Sequence, residues 1–220
     1  MTHPLEAGLR DGVQALGLTL PDDQVHTLLA YLDWVAKWNR VYNLTAVRDP
    51  GEMLTHHLLD SLAVLAPLRR HLAAHAHAQA APRLLDVGSG AGLPGVVLAI
   101  TCPELDVSCV DTVAKKALFI QQVAAALRLP NLHGLHARVE NLTQPFDVVT
   151  SRAFASLADF TQWSAAAVAP QGVWMAMKGK VPHDEMAALS PSVQVFHVEP
   201  LAVPGLDAER CLVWMRREST

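Results

Sequence analysis

At 220 residues, with 51% apolar and 17% charged residues, the chain is long enough for one large or two small domains and too apolar to be disordered by composition. Its formal net charge of −4 excludes a surface coated in positive charge but leaves room for a local basic patch. No apolar run approaches the ~20 residues of a membrane-spanning helix.

Met1–Ala7 carries neither the basic nor the apolar part of an export signal. The scattered cysteines Cys102, Cys109 and Cys211 match no disulfide framework and no metal spacing, so a reducing cytoplasm is expected. Residues 1 to about 65 read as helical. Val25, Leu28, Leu29, Leu32 and Val35 recur at threes and fours, the period of one buried helix face, and Pro21-Asp22-Asp23 suits the start of that helix. The segment Trp38–Thr45 breaks the pattern. A second start follows, with Asp49 as N-cap, Pro50 at the first helical position and Glu52 next in a capping box, for a helix running through His57 and Asp60. Residues 66–82 look like a connector, a short helix or a flexible linker. His71, His75 and His77 lie there without an acidic or thiolate partner, so no metal is expected.

From Arg83 the texture changes to short apolar strands alternating with helical stretches. Strands are expected at Arg83–Val87, Val107–Asp111, His133–Ala137, Asp147–Ser151, Val173–Lys178, Gln194–Val198 and Leu212–Arg216. Helices are expected at Pro94–Ile100, Lys115–Leu129 and Leu157–Val168. Such alternation implies an α/β fold, a mostly parallel sheet with helices on both faces. The organisation is a helical extension and connector over residues 1–82 and a core over residues 83–220.

Asp86-Val-Gly-Ser-Gly-Ala-Gly92 joins the first strand to a helix. Gly88, Gly90 and Gly92 let the backbone turn tightly and approach a ligand without Cβ collisions, and the helix start offers free N–H groups. A dinucleotide fingerprint would need glycine at position 93, which is Leu93. The spacing preceded by an acid instead resembles that of class I S-adenosylmethionine-dependent methyltransferases. S-adenosylmethionine has no phosphate, and Asp86 can face its cationic amino-acid end or orient the loop; capping is the plain alternative.

Asp111, about 20 residues past the loop at the end of the second strand, is placed to accept hydrogen bonds from ribose hydroxyls, or else to cap the next helix. Val139 and Glu140 follow the third strand, near where a base would sit. Ser151-Arg-Ala-Phe154 ends the fourth. It is not the [Asn/Asp]-Pro-Pro-aromatic turn of adenine-N6 or cytosine-N4 enzymes, and no cysteine sits in a catalytic loop as cytosine-C5 chemistry needs. A ring nitrogen such as guanine N7 is different: its lone pair is free, so alignment is the main requirement.

Arg152 either holds cofactor or RNA phosphate, or pairs with Asp147 or Asp159. Lys178 stands at another strand end, and Lys115, Lys116, Arg138 and Lys180 would extend a basic patch or simply face solvent. Asn43, Tyr42 and Trp38 offer a base-stacking wall, although Trp38 continues the buried helix face.

Taken together, Trp38-Asn-x3-Asn43-Leu-Thr, Arg48-Asp-Pro-x-Glu52-Met-Leu, His57-x2-Asp60-Ser, Asp86–Gly95, Ser151-Arg-Ala-Phe-Ala-Ser156 and Lys178-Gly179 resemble the ribosomal RNA small-subunit methyltransferase G family, also called glucose-inhibited division protein B. The resemblance covers almost the whole chain. It implies a Rossmann-like, seven-stranded class I sheet with an N-terminal helical extension. It implies N7-methylation of one guanine in 16S rRNA, free or in the small subunit, with S-adenosylmethionine as cofactor. By motif match, Gly88, Leu93, Val139, Glu140 and Arg152 would contact the cofactor, and Asp111 its ribose; His57 and Asp60 would bring the extension over the pocket. Arg152, Lys178 and Asn43 are the candidates for positioning RNA. Neither a membrane nor a stable protein partner is expected. A small-molecule methyltransferase on the same fold is the alternative, favoured by the acidic net charge.

Overall fold

The computed structural model describes residues 3–75 and 81–218. It opens with α1 (Glu6–Ala15), α2 (Asp22–Tyr42) and α3 (Pro50–Met53). A π-helical stretch at Leu54–Leu59 leads into α4 (Asp60–Leu62) and then α5 (Leu65–Ala74). Alternation follows: β1 (Arg83–Val87), α6 (Gly95–Thr101), β2 (Asp106–Asp111), α7 (Ala114–Ala126), β3 (Leu132–His136) and β4 (Phe146–Arg152). The chain closes with α8 (Leu157–Trp163), β5 (Val168–Lys178), α9 (His183–Ala187), β6 (Val193–Pro200) and β7 (Cys211–Arg217).

The seven expected strands form one sheet in the order β3-β2-β1-β4-β5-β7-β6. The first five are parallel; β7 runs antiparallel to both its neighbours. One face packs against α6, α7 and the N-terminal helices, the other against α8. Val25, Leu28, Leu29, Leu32 and Val35 of α2 all point into the first of these cores. Burying each such side chain contributes about 1.5–3 kcal/mol, which fastens the extension to the sheet layer.

Local chemistry explains where expectation and structure part. Asp49 caps α3 as expected, accepting the Glu52 N–H at 2.9 Å. The expected break at Trp38 does not occur. The Trp38 ring lies 5.3 Å from that of Phe119, and the Asn39 side chain is bonded at both ends, so α2 continues to Tyr42. It stops at Asn43, whose φ of 49° is left-handed. Residues 66–74 of the expected connector are helical, within α5. His77 lies outside the described residues. The helix expected over Leu157–Val168 ends at Trp163. There the Ser164 hydroxyl accepts the indole N–H of Trp174 at 2.9 Å, and a short 3-10 turn leads into β5, which starts earlier than expected.

Candidate functional site

Strand register sets the chemistry-bearing residues along one line. Val87 pairs with Val110 of β2 and with Ser151 of β4. The next residues, Gly88, Asp111 and Arg152, therefore stand side by side at the carboxyl edge of the parallel strands. Strand order reverses between β1 and β4, and the crevice at such a point is where open α/β sheets take ligands. β7 runs the other way, so its amino end lies at this same edge. Lys178 pairs with Cys211, which brings Arg210 to the site from far along the chain.

Two clefts open here. The first, of about 390 Å³, is bounded by Gly88, Asp111, Val139, Glu140, Phe154 and Trp163 among others. The second, of about 490 Å³, is walled by Thr45, His57, Asp60, Leu93, Arg152 and Arg210 among others. Ala153 lines both, with a left-handed φ of 50°.

The glycine loop is fixed from several sides. The N–H groups of Gly88 and Ser89 donate to the Val110 carbonyl, and that of Gly90 donates to Asp111 Oδ2 at 3.1 Å. Asp111 Oδ1 accepts the Val113 N–H at 2.8 Å, and Lys116 Nζ lies 3.6 Å from Oδ2. Each carboxylate oxygen has a second lone pair, so Asp111 can still accept hydroxyls from a ligand. Gly88 has φ of 66°, and a Cβ there would sit 2.3 Å from the Phe154 ring. Glycine thus admits Phe154 as a wall of the first cleft. Gly90 and Leu93 line the second cleft, whereas Gly92 lies against Val96 and Ile120.

Asp86 is fully buried below the loop and lines neither cleft. Its Oδ2 accepts the Gly95 N–H at 2.8 Å, which ties β1 to the amino end of α6; its Oδ1 is buried without a partner. Burial pushes its pKa up to about 7, against the opposing effects of the Gly95 N–H and the positive charge of Arg152. Gly95 is needed for the close approach, since a Cβ would meet Cys109 Sγ at 2.4 Å and Asp86 Oδ2 at 2.9 Å.

In the second cleft Arg152 pairs with neither Asp147 nor Asp159. Its Nη1 donates to Asp60 Oδ2 at 2.8 Å and to the His56 carbonyl at 2.7 Å. Asp147 instead accepts the Arg83 N–H, and Asp159 the Ser156 hydroxyl. The π-helical stretch helps here: the Asp60 N–H reaches back to Thr55 and His57, and the His56 carbonyl turns to Arg152. Asp60 Oδ1 accepts from Arg210 Nε at 2.9 Å, so one buried carboxylate holds two guanidiniums at the cleft wall. Lys178 also lines this cleft, its Nζ donating to the Ala155 carbonyl and to Glu185.

A polar relay builds the opposite wall. Asn39 accepts the Thr45 N–H at 2.9 Å and donates to the Val47 carbonyl at 3.2 Å. The Thr45 hydroxyl accepts the Val47 N–H and lies 3.0 Å from His57 Nε2. Burial lowers the His57 pKa to about 4, leaving it neutral. Asn43 lines neither cleft; it is exposed and accepts from Arg48 at 3.2 Å. Of the wider basic set, Lys116 and Arg138 line the first cleft and Lys115 lies over the Tyr42 ring. His71 stacks between His75 and Trp214 instead of facing a cation site. No metal-holding cluster of His, Cys, Asp or Glu is found among the described residues.

Sequence reasoning missed Arg210, Asn39 and Tyr31. No local signal marks Arg210, because only the reversed strand brings it here. Tyr31 carried a signal: it falls three residues after Leu28 and four before Val35, on the buried face of α2.

The residues present fit S-adenosylmethionine. The first cleft has the size of a small-ligand site, with apolar and aromatic walls and two acids, Asp111 and Glu140, lining it. Of the two roles expected for Asp86, the structure shows the one that orients the loop: it holds the Gly95 N–H and, lining neither cleft, does not face a ligand in either.

The family model GidB, described as rRNA small subunit methyltransferase G, matches residues 24–213. Ribosomal RNA small subunit methyltransferase G of Polaromonas sp. (strain JS666 / ATCC BAA-500) is 69% identical over 214 residues, covering 97% of this chain and 94% of that one. The protein of the same name from Acidovorax sp. (strain JS42) is 68% identical over 214 residues, covering 96% and 95%. Among solved structures, a SAM-dependent methyltransferase from Aquifex aeolicus superposes with a TM-score of 0.55 at 16% identity, covering 79% of this chain and 96% of that one. At that identity the likeness speaks for the fold. Among the described residues, no helix is long and apolar enough to cross a membrane.

Proposed function

The chain belongs to the rRNA small subunit methyltransferase G family, and from that membership we propose that it methylates N7 of one guanine in 16S rRNA. The observation that carries the reading is the meeting of two clefts at Ala153, one suited to the cofactor and one walled by Arg152 and Arg210.

When bound, S-adenosylmethionine supplies a methyl group on a positively charged sulfur. That methyl would pass to guanine N7 through the ring nitrogen's own free lone pair, the sulfur keeping the electron pair of the bond it gives up. No side chain has to remove a proton first, so the protein's task is alignment and exclusion of water. Gly88, Asp111, Val139 and Glu140 hold the cofactor in the first cleft. Arg152 and Arg210 offer planar, permanently charged donors to guanine O6 or a flanking phosphate. A donor on N7 would tie up the lone pair the reaction needs, and Asp60 keeps both arginines pinned to the wall. Lys178 and Asn43, the residue before the cleft-lining Leu44, extend the RNA contact. The extension, residues 1–82, and the core, residues 83–220, act as one unit, because both wall the second cleft. A ribosomal RNA substrate assigns the reaction to the cytoplasm.

The test is transfer from methyl-labelled cofactor to unmodified 16S rRNA and, separately, to small subunits. Labelled 7-methylguanosine is expected in one or both. Label in neither, with cofactor binding demonstrated, refutes the reading. Names given to relatives at 60–69% identity support RNA over the small-molecule alternative.

A further inference from the structure

Tyr31 is fully buried in α2, far from the sheet in sequence, yet its hydroxyl donates to the Ala91 carbonyl at 2.7 Å. Ala91 is the middle of the second half of the glycine loop and lines the second cleft beside Gly90 and Leu93. The first half of the loop is held by β2: Gly88 and Ser89 bond to Val110, and Gly90 to Asp111. The second half folds on itself, with Gly92 and Leu93 both donating to the Ser89 carbonyl. Tyr31 supplies the anchor from outside. Burial raises its pKa well above the ordinary tyrosine value, so the hydroxyl keeps its proton and remains a donor.

The same helix carries a second anchor. Two turns further along, roughly 12 Å at the rise of an α-helix, Asn39 holds Thr45 and Val47 in the wall of the second cleft. One rigid element therefore pins the loop of the cofactor site at one point and the substrate wall at another.

We infer that Tyr31 is a positioning residue of the cofactor site, through which the N-terminal extension holds the glycine loop in its binding conformation. The inference rests on the cofactor reading of the first cleft. A Tyr31→Phe substitution removes one oxygen and leaves the ring packing intact. The Ala91 carbonyl then loses its buried donor, and the loop samples conformations that do not bind. The usual worth of one such bond caps the loss in affinity at about 5-fold, reached when the freed loop lies mostly in other conformations.

The experiment is calorimetric titration of S-adenosylhomocysteine into the unmodified protein, Tyr31→Phe and Val35→Ala. Val35 is buried on the same helix and lines neither cleft, so it reports packing alone. Tyr31→Phe is expected to raise the dissociation constant, and the KM for cofactor, by up to about 5-fold, with kcat within about 2-fold. Val35→Ala is expected to lower the melting temperature and leave the dissociation constant unchanged. Unchanged binding by Tyr31→Phe overturns the inference, and so does an equal loss in Val35→Ala. Hydrogen exchange of the unmodified protein is a second measurement, independent of how the variants fold. Ligand is expected to slow exchange over residues 25–42 as well as in the glycine loop, and no change over 25–42 overturns the inference. Failure of the unmodified protein to bind S-adenosylhomocysteine is a distinct result, since it removes the cofactor reading itself.

Discussion

Replacing Asp60 with alanine tests how the second cleft is held together. The carboxylate is 2% exposed and receives Arg152 Nη1 at 2.8 Å and Arg210 Nε at 2.9 Å. Hydrogen bonds to charged groups contribute about 1.5–3 kcal/mol each. The two guanidiniums are 21% and 25% exposed, so water recovers part of that loss once they are released. A net loss of about 3 kcal/mol follows, at the lower end for removing one partner of a buried ion pair. For a chain of this size that lowers the melting temperature by roughly 6–12 °C. Calorimetric melts at fixed pH and salt measure it. Asp60→Asn, which keeps one acceptor, should fall between the two. Methyl transfer to RNA should drop further than cofactor binding, because Asp60 lines only the second cleft. If Asp60→Ala melts within about 1 °C of the unmodified protein, the argued role of the carboxylate is wrong.

The pH dependence of stability should show two opposed contributions. His57, held neutral with a pKa near 4 against an ordinary 6.5, takes up its proton earlier when unfolded, so stability rises with pH between about 4 and 6.5. The half-buried His71 acts in the same direction. Asp86, pushed from 3.8 to about 7, stays protonated in the fold while the unfolded chain ionises, so its contribution falls from about pH 4 to 7. The unmodified protein's unfolding free energy in urea should therefore climb by roughly 3 kcal/mol over pH 4 to 6.5, and that of Asp86→Asn, freed of the opposing contribution, by up to roughly 7 kcal/mol; a flat profile for the variant contradicts this. Gly95→Ala places a Cβ 2.4 Å from Cys109 Sγ and should cost about 2–3 kcal/mol in denaturant unfolding. Adding Cys109→Ala should return part of that loss, and no recovery would argue against the clash.

Period and punctuation made much of the fold legible. The threes and fours of α2, the Asp49 cap and the short apolar runs after Arg83 each carry their signal within a few residues. The glycine loop and Asp111 were legible because strand, turn and strand end lie within one stretch of chain. The partner of Arg152 was not, since neighbours in sequence suggested Asp147 and Asp159 while packing supplied Asp60 from the extension. Helix ends were misplaced where a side chain found a distant partner: Trp38 against Phe119 kept α2 going, and Trp174 against Ser164 ended α8. In each case the deciding contact spans elements, so no local window contains it.

The bond between Asp60 and Arg210 joins residues 150 apart in sequence. At roughly 5–20 residues per second, a ribosome making this chain adds the arginine roughly 8–30 seconds after the aspartate. The glycine loop, Asp111 and Arg152 are all made in that interval, and every residue bounding the first cleft precedes Arg210, which completes the second. A nascent chain thus passes through a period in which Asp60 has at most one of its two arginines, and the last strand pairing closes the site.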